Sequence, residues 1–226
     1  IDSLVHAIEA YVSKRANPFA DSMALSAMRL IWPNLPTACT DPGNRAAREA
    51  LMLGALQGGI AFSNSSVALV HGMSRPIGAH FHVAHGLSNA MLMPVVTQWS
   101  APAALPRYAT CARTMGIADD SESDQSAVGR LVEALHRINA DLSVPTPAAY
   151  GIAKDRWDDL VPLMAAQAEL LAGNGARGTW FAGAHLRNGF HEDGFASAVD
   201  VVQGMRERRD TPLGIRSLQE YHGLSS

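Results

Sequence analysis

Apolar side chains recur at three- and four-residue spacing along most of the first 172 residues. Segment 2–13 shows this period clearly, and segment 21–31 repeats it with Pro33 just beyond its end. Such spacing places the apolar positions on one face of a helix. Helices are predicted over residues 2–13, 21–31, 46–58, 60–73, 87–98, 102–115, 126–141 and 155–171. No alternating run of β-branched residues is long enough to predict a sheet.

The predicted fold class is therefore all-α, a helical bundle over residues 1–172. From Gly173 onward small residues dominate, and 196–209 is the one fair helix candidate, so 173–226 is predicted to be a C-terminal tail packed on the bundle or extending it. Gly173–Gly178 formally matches GxGxxG, but a dinucleotide site needs a strand before this motif. Because a predicted helix precedes it, we interpret the motif as a helix-end loop.

Composition and charge exclude several function classes. Hydrophobic residues make up 47% of the chain, charged residues make up 17%, and the net charge is -3. This balance gives no basic surface for nucleic acid or an anionic membrane, and the apolar runs are shorter than the roughly 20 residues that span a bilayer. Cys39 and Cys111, without a CxxC, form neither a thiolate metal site nor a disulfide framework. We expect a soluble, cytoplasmic protein.

Four side chains are candidates for metal binding. Asp2 and His6 lie four residues apart on one predicted helix, so both can meet a single ion. His71 closes the most apolar predicted helix, where an imidazole needs a partner, and His85 follows fourteen residues later. The intervening segment 74–78, which carries a proline and a glycine, is predicted to break the helix and return His85 opposite His71. One carboxylate and three imidazoles suit Fe²⁺ or Zn²⁺.

Two further histidines leave an alternative open. His80-x-His82-x-x-His85 could itself form a local metal cluster, with His71 purely structural. The favoured interpretation places His80 and His82 in the cleft or in solvent beside the site.

Four segments, in this order, resemble successive signatures of the iron-type (group III) alcohol dehydrogenases. They are Asp2–Tyr11 (DSLVHAIEAY), Gly59–Asn64 (GIAFSN), His71–Gly78 (HGMSRPIG) and Ala84–Ala90 (AHGLSNA). The resemblance covers residues 2–172 and implies the all-helical C-terminal domain that this family shares with dehydroquinate synthase and glycerol dehydrogenase. It implies that Asp2, His6, His71 and His85 are the metal ligands.

The resemblance also implies an activity, which is hydride transfer between a small alcohol or carbonyl substrate and NAD or NADP, with Fe²⁺ or alternatively Zn²⁺ bound. The family's N-terminal nucleotide-binding domain has no counterpart in the sequence, and the chain opens without Met. We therefore expect residue 1 to be an interior point of a longer chain and the isolated piece to be nearly inactive. Apolar surface exposed where the first domain docks would favour homo-oligomers.

Five residues are predicted to surround the metal without binding it. Phe62, Arg75, His80 and His82 are candidates for the substrate or cofactor pocket, and Asn64 is a candidate hydrogen-bonding partner of a ligand. Relatives commonly carry His at the position of Arg75. A guanidinium stays protonated and cannot be a general acid, so Arg75 would hold a substrate carboxylate or a nucleotide phosphate, or form a structural ion pair.

Two other functions use the same residues. The chain could be a stand-alone helical metal-binding or interaction module without redox catalysis. A metal-dependent hydrolase would need a general base, for which Glu9 and His80 are the candidates. The order of the motifs favours the dehydrogenase, for which no protein general base is assigned.

Overall fold

The computed structural model describes residues 1–157, and this part of the chain is helical and contains no strand. The predicted all-α fold is confirmed for these residues. The tail boundary at 173, the GxGxxG match and the helix at 196–209 lie outside the described residues, as does most of the helix at 155–171. The α-helices are α1 (Asp2–Val12), α2 (Pro18–Thr40), α3 (Arg45–Ser63), α4 (Leu69–Phe81), α5 (His85–Ser100), α6 (Leu105–Thr114), α7 (Asp124–Asp141) and α8 (Pro147–Tyr150), and short 3₁₀ helices cover Ala101–Ala103 and Lys154–Arg156.

Helix α1 is the centre of the bundle. Every residue from Leu4 to Tyr11 is buried, and α1 contacts α2, α3, α4, α5 and α6. A helix buried on all sides is typical of a core position. The approach of α3 is close, because a Cβ added to Gly58 would lie 3.1 Å from the backbone oxygen of Ser3. The polar side chains of His6 and Glu9 are therefore carried into the interior.

Helix α2 extends beyond the predicted segment 21–31. It continues through Pro33 and Pro36 to Thr40, so the expectation that Pro33 lies past its end is wrong. Proline removes a backbone donor, but a helix can continue through it when the residues around the proline are packed against the core. Ile31 and Leu35, one turn apart, are 2% and 5% exposed. Their burial offsets the lost hydrogen bonds.

The helix predicted at 60–73 is interrupted, and the break predicted at 74–78 does not occur. Helix α3 ends at Ser63, where Asn64 and Ser65 turn their side chains onto the carbonyl oxygens of Ile60 and Ala61. Such local bonds compete with the helix ladder.

The reversal that brings the chain back to the site lies eight residues after Ser74. Helix α4 runs through buried Pro76, and the chain turns at His82, whose φ of 54° is in the left-handed region. The returning segment passes close to α4, since a Cβ on Gly78 would lie 3.3 Å from the Val83 oxygen. His85 does return toward His71, but through a turn that lies later in the chain than the predicted break.

Helix α3 exposes Met52, Leu53 and Leu56, with Met52 75% accessible. This is apolar surface of the kind predicted to favour association. Association itself stays a prediction. Within residues 1–157, no helix combines the length and the apolarity needed to cross a bilayer.

Candidate metal centre

The four predicted ligands meet in space, although they come from three helices. Asp2 and His6 lie on α1, His71 is the third residue of α4, and His85 is the first residue of α5. One ligand atom from each side chain lies within 4.8 Å of the others, and no other such group is found in the described part of the chain. Neither His80 nor His82 belongs to the group, so the geometry gives no support to the alternative cluster of His80, His82 and His85.

The spacing of the donor atoms fits a small divalent ion. Asp2 Oδ1 lies 3.8 Å from Nε2 of both His71 and His85, which is too far for a hydrogen bond. Ligands about 2.1 Å from a tetrahedral ion are about 3.4 Å apart, so these two pairs are only slightly wider than a bound ion requires. The carboxylate and imidazoles form the mixed oxygen and nitrogen set that Fe²⁺ and Zn²⁺ accept.

Glu9 fixes the orientation of His71. Its carboxylate lies 2.7 Å from His71 Nδ1, and both side chains are buried. The same carboxylate accepts the backbone N–H groups of Val70 at 2.5 Å and His71 at 3.3 Å. Helix α4 begins after Ala68, which offers no capping side chain, so Glu9 caps it from another helix. Donation from Nδ1 leaves the Nε2 lone pair of His71 facing the other ligands.

Exposure shows on which side the cluster is open to solvent. The His71 side chain is fully buried, whereas the side chains of Asp2 and His85 are 29% and 31% exposed. His6 is 6% exposed, with its ring stacked between Phe62 at 4.4 Å and His71 at 4.5 Å. The cluster is therefore closed behind His6 and His71 and open beside Asp2 and His85.

The electrostatics favour the metal-binding protonation states of Asp2, His6 and His85 at neutral pH. Burial, and then the neighbouring His71, lower the pKa of His6 to about 3. Burial also lowers the pKa of His85, with smaller contributions from His71 and Arg75, against the opposing Asp2 carboxylate. Burial alone would raise the pKa of Asp2, but His6 and the hydrogen bond from Asn89 hold it below its usual value. Neutral imidazoles and an ionised carboxylate are the forms that bind metals.

The metal-free chain is expected to lose stability as the pH falls below about 6.5, the ordinary pKa of histidine. Below that pH the unfolded chain binds a proton at residue 6, while folded His6 stays neutral because its pKa is lowered to about 3. The free energy of unfolding then falls by up to about 1.4 kcal/mol per pH unit for this one group. Urea unfolding of chelator-treated protein between pH about 7.5 and about 5 measures it. The His6→Gln variant should show a flatter profile, and an equally steep one would contradict the prediction.

The predicted pocket residues divide into two groups. Phe62 packs on His6, and Arg75 is half-buried, with its charge felt at His85. His80 and His82 are exposed at the end of α4. These placements agree with positions at and beside the site, and the roles themselves stay predictions.

Sequence reasoning assigned the ligand-supporting role to Asn64 and overlooked Glu9 and Asn89. The Asn64 amide donates to Ile60 O at 2.8 Å, which makes it a cap of α3. Glu9 was considered only as a hydrolase base, but both its oxygens are engaged behind His71 and it is 2% exposed. Asn89 lies four residues after His85 on α5, a spacing that places both on one helix face. That spacing was the available signal.

Comparison with known proteins gives one consistent answer. The model of the Fe-containing alcohol dehydrogenase family, C-terminal, matches residues 1–179. Long-chain-alcohol dehydrogenase 1 of Geobacillus thermodenitrificans (strain NG80-2) is 38% identical over 173 residues, covering 76% of this chain and 44% of that protein. NAD-dependent methanol dehydrogenase of Bacillus methanolicus is 36% identical over 146 residues, covering 65% of this chain and 38% of that protein.

A solved structure supports the same relationship. The crystal structure of a 1,3-propanediol oxidoreductase superposes with a TM-score of 0.69 and 30% identity, covering 90% of this chain and 50% of that one. The chain thus spans about half the length of its relatives or less. Its match to the family model covers most of its length and includes all four clustered side chains. The chain therefore belongs to the iron-containing alcohol dehydrogenase family and corresponds to its C-terminal part.

Proposed function

We propose that this chain is the metal-binding part of a nicotinamide-dependent alcohol dehydrogenase, with Asp2, His6, His71 and His85 as the ligands of Fe²⁺ or, alternatively, Zn²⁺. The observation that carries the proposal is the convergence of four donor atoms within 4.8 Å. Family membership supports the redox chemistry, and a relative that is NAD-dependent supports NAD or NADP as the cofactor. The substrate class is a small alcohol or its carbonyl product.

Each side chain has a distinct part in this function. A bound divalent ion would supply Lewis-acid polarisation of the substrate oxygen during hydride transfer to or from the nicotinamide. Glu9 holds His71 with its Nε2 lone pair toward the cluster. Phe62 covers the ring of His6 and keeps water from that side. The substrate approaches beside Asp2 and His85, whose side chains are 29% and 31% exposed.

Arg75 contributes a permanent positive charge near the open side. It lies one turn after His71 on α4 and is half-buried, and its charge contributes to lowering the pKa of His85. Such a group favours an anionic part of the substrate or of the cofactor. Because guanidinium does not release its proton, Arg75 orients ligands and transfers no proton.

The test of the proposed function is the metal content of the purified 226-residue chain. After anaerobic addition of Fe²⁺ or Zn²⁺ and removal of the excess, elemental analysis should find about one ion per chain. The loaded chain with NAD⁺ or NADP⁺ and a primary alcohol should give negligible turnover, because the chain spans only 44% of the long-chain-alcohol dehydrogenase and 50% of the 1,3-propanediol oxidoreductase that it matches.

The metal content and the turnover of the chain test different parts of the proposal. Failure to bind any ion would contradict the proposed metal centre. Measurable turnover would contradict the expectation that the isolated chain is inactive and would leave the dehydrogenase assignment intact. Stoichiometric metal without turnover, even when a nucleotide-binding half of a relative is supplied, would favour the stand-alone metal-binding module.

A further inference from the structure

The side-chain amide of Asn89 lies among the clustered donor atoms. Its Nδ2 lies 2.6 Å from Asp2 Oδ1, 3.0 Å from His71 Nε2 and 3.2 Å from His85 Nε2. Asn89 is completely buried. One nitrogen thus contacts three of the four predicted ligand atoms, although these come from three different helices.

The two ends of the Asn89 amide differ, since the NH₂ group has polar partners and the oxygen has none. An NH₂ group has two hydrogens, so it cannot satisfy three acceptors at once. The Asn89 Oδ1 is buried and has no hydrogen-bond partner. The hydrogen bonds of the Asn89 side chain are thus made by its NH₂ group, which faces the three donor atoms.

The three acceptors differ in whether they could still accept a hydrogen bond from Asn89 once a metal ion is bound. An imidazole nitrogen has a single lone pair, which an ion takes completely. A carboxylate oxygen has two, so Asp2 Oδ1 can accept from Asn89 and still bind an ion. The bond to Asp2 is also the shortest of the three, at 2.6 Å. Asp2 is thus the partner that Asn89 keeps in the loaded protein.

We propose that Asn89 is a positioning residue of the metal centre, which holds the Asp2 carboxylate by a hydrogen bond so that it binds the ion through one oxygen only. This inference rests on the proposed function.

The backbone of α5 supports the same role. Gly86, one turn before Asn89, faces Asp2 so closely that an added Cβ would lie 3.2 Å from the Asp2 Cβ. Asp2 therefore packs against the first turn of α5, where Gly86 leaves room for its Cβ and Asn89 bonds its carboxylate. The two contacts restrict the rotation that a carboxylate needs to present both oxygens to one ion.

The experiment compares Asn89→Leu with a matched control, Asn139→Leu, in the full chain. Asn139 is an asparagine that also donates to α5, at 2.7 Å to Ala90 O, and its Oδ1 likewise has no hydrogen-bond partner, although Asn139 is only partly buried. Competition with a chelator gives the Zn²⁺ affinity of each protein. Visible absorption of Co²⁺-loaded protein reports the coordination number, which rises when a carboxylate changes from one bound oxygen to two.

Asn89→Leu should bind Zn²⁺ about 10–100-fold more weakly, the usual effect of losing a group that orients a metal ligand, and its Co²⁺ spectrum should change. Asn139→Leu should keep the affinity and spectrum of the wild type. Should Asn89→Leu not fold, Asn89→Ala removes the same NH₂ group and must give the same result. Wild-type affinity and an unchanged spectrum in a folded Asn89 variant would overturn this inference alone. Absence of metal in the wild type would overturn the proposed function, and this inference with it.

Discussion

Replacing His71 with alanine is expected to abolish stoichiometric metal binding. The loss in affinity should exceed the about 10–100-fold that follows removal of a group behind a ligand, because a ligand itself is lost. His71 is fully buried, and its ring lies 2.7 Å from Glu9. Elemental analysis after anaerobic loading, with chelator competition for the residual affinity, measures the effect.

The exposed histidines provide the matched control. His80→Ala and His82→Asn remove imidazoles at the C-terminal end of α4, outside the cluster, and asparagine tolerates the left-handed conformation of residue 82. Both variants should retain the wild-type metal content. The opposite pattern, with metal lost in these two and kept in His71→Ala, would establish the local cluster of His80, His82 and His85 instead. Circular dichroism of every variant separates lost metal from lost fold.

The cluster of four predicted ligands could be anticipated because each of its members has a local sequence signal. Asp2 and His6 have helical spacing, and His71 lies in an apolar segment where an imidazole is conspicuous. What the sequence did not reveal was the path between His71 and His85. Pro76 looks like a helix breaker, but burial of α4 around it outweighs the lost donor. The turn depends instead on His82 adopting a positive φ, and the sequence gives little indication of this conformation.

The roles of Glu9 and Asn89 could not be predicted as reliably from the sequence, because they depend on contacts between distant parts of the chain. Glu9 meets α4 across 61 residues of sequence, and Asn89 meets Asp2 across 87. Asn64 belongs to one of the motifs, but its amide donates to Ile60 O at 2.8 Å. An acidic residue on a helix that is apolar apart from one histidine, as in Leu4–Val12, is the more general signal, since a buried carboxylate needs donors.

Replacing Glu9 with glutamine is expected to cost both stability and metal affinity, although the side chain keeps its shape. The carboxylate accepts three N–H groups, two from the backbone of Val70 and His71 and one from the imidazole of His71. Glutamine offers one oxygen and one NH₂ group. Whichever way the amide points, its NH₂ faces a buried donor.

One of the two orientations also changes the chemistry of His71. With the amide NH₂ toward Nδ1, His71 can accept there only by moving its proton to Nε2, the atom that lies 3.0 Å from Asn89 and 3.8 Å from Asp2. A protonated Nε2 has no lone pair for an ion. We therefore expect about 2–4 kcal/mol lower stability of the metal-free chain and about 10–100-fold weaker metal binding.

Urea unfolding and chelator competition measure these two losses, and ¹⁵N NMR of the His71 ring reports its tautomer directly. Glu49→Gln is the matched control, because Glu49 is 63% exposed and paired only with Arg45 on the surface of α3, where the change should cost less than about 0.5 kcal/mol. If Glu9→Gln behaved like Glu49→Gln, the cap on α4 and the orientation of His71 would have to come from elsewhere. A variant that lost stability but kept its metal affinity would assign Glu9 to the helix terminus alone and leave the His71 tautomer to the ion itself.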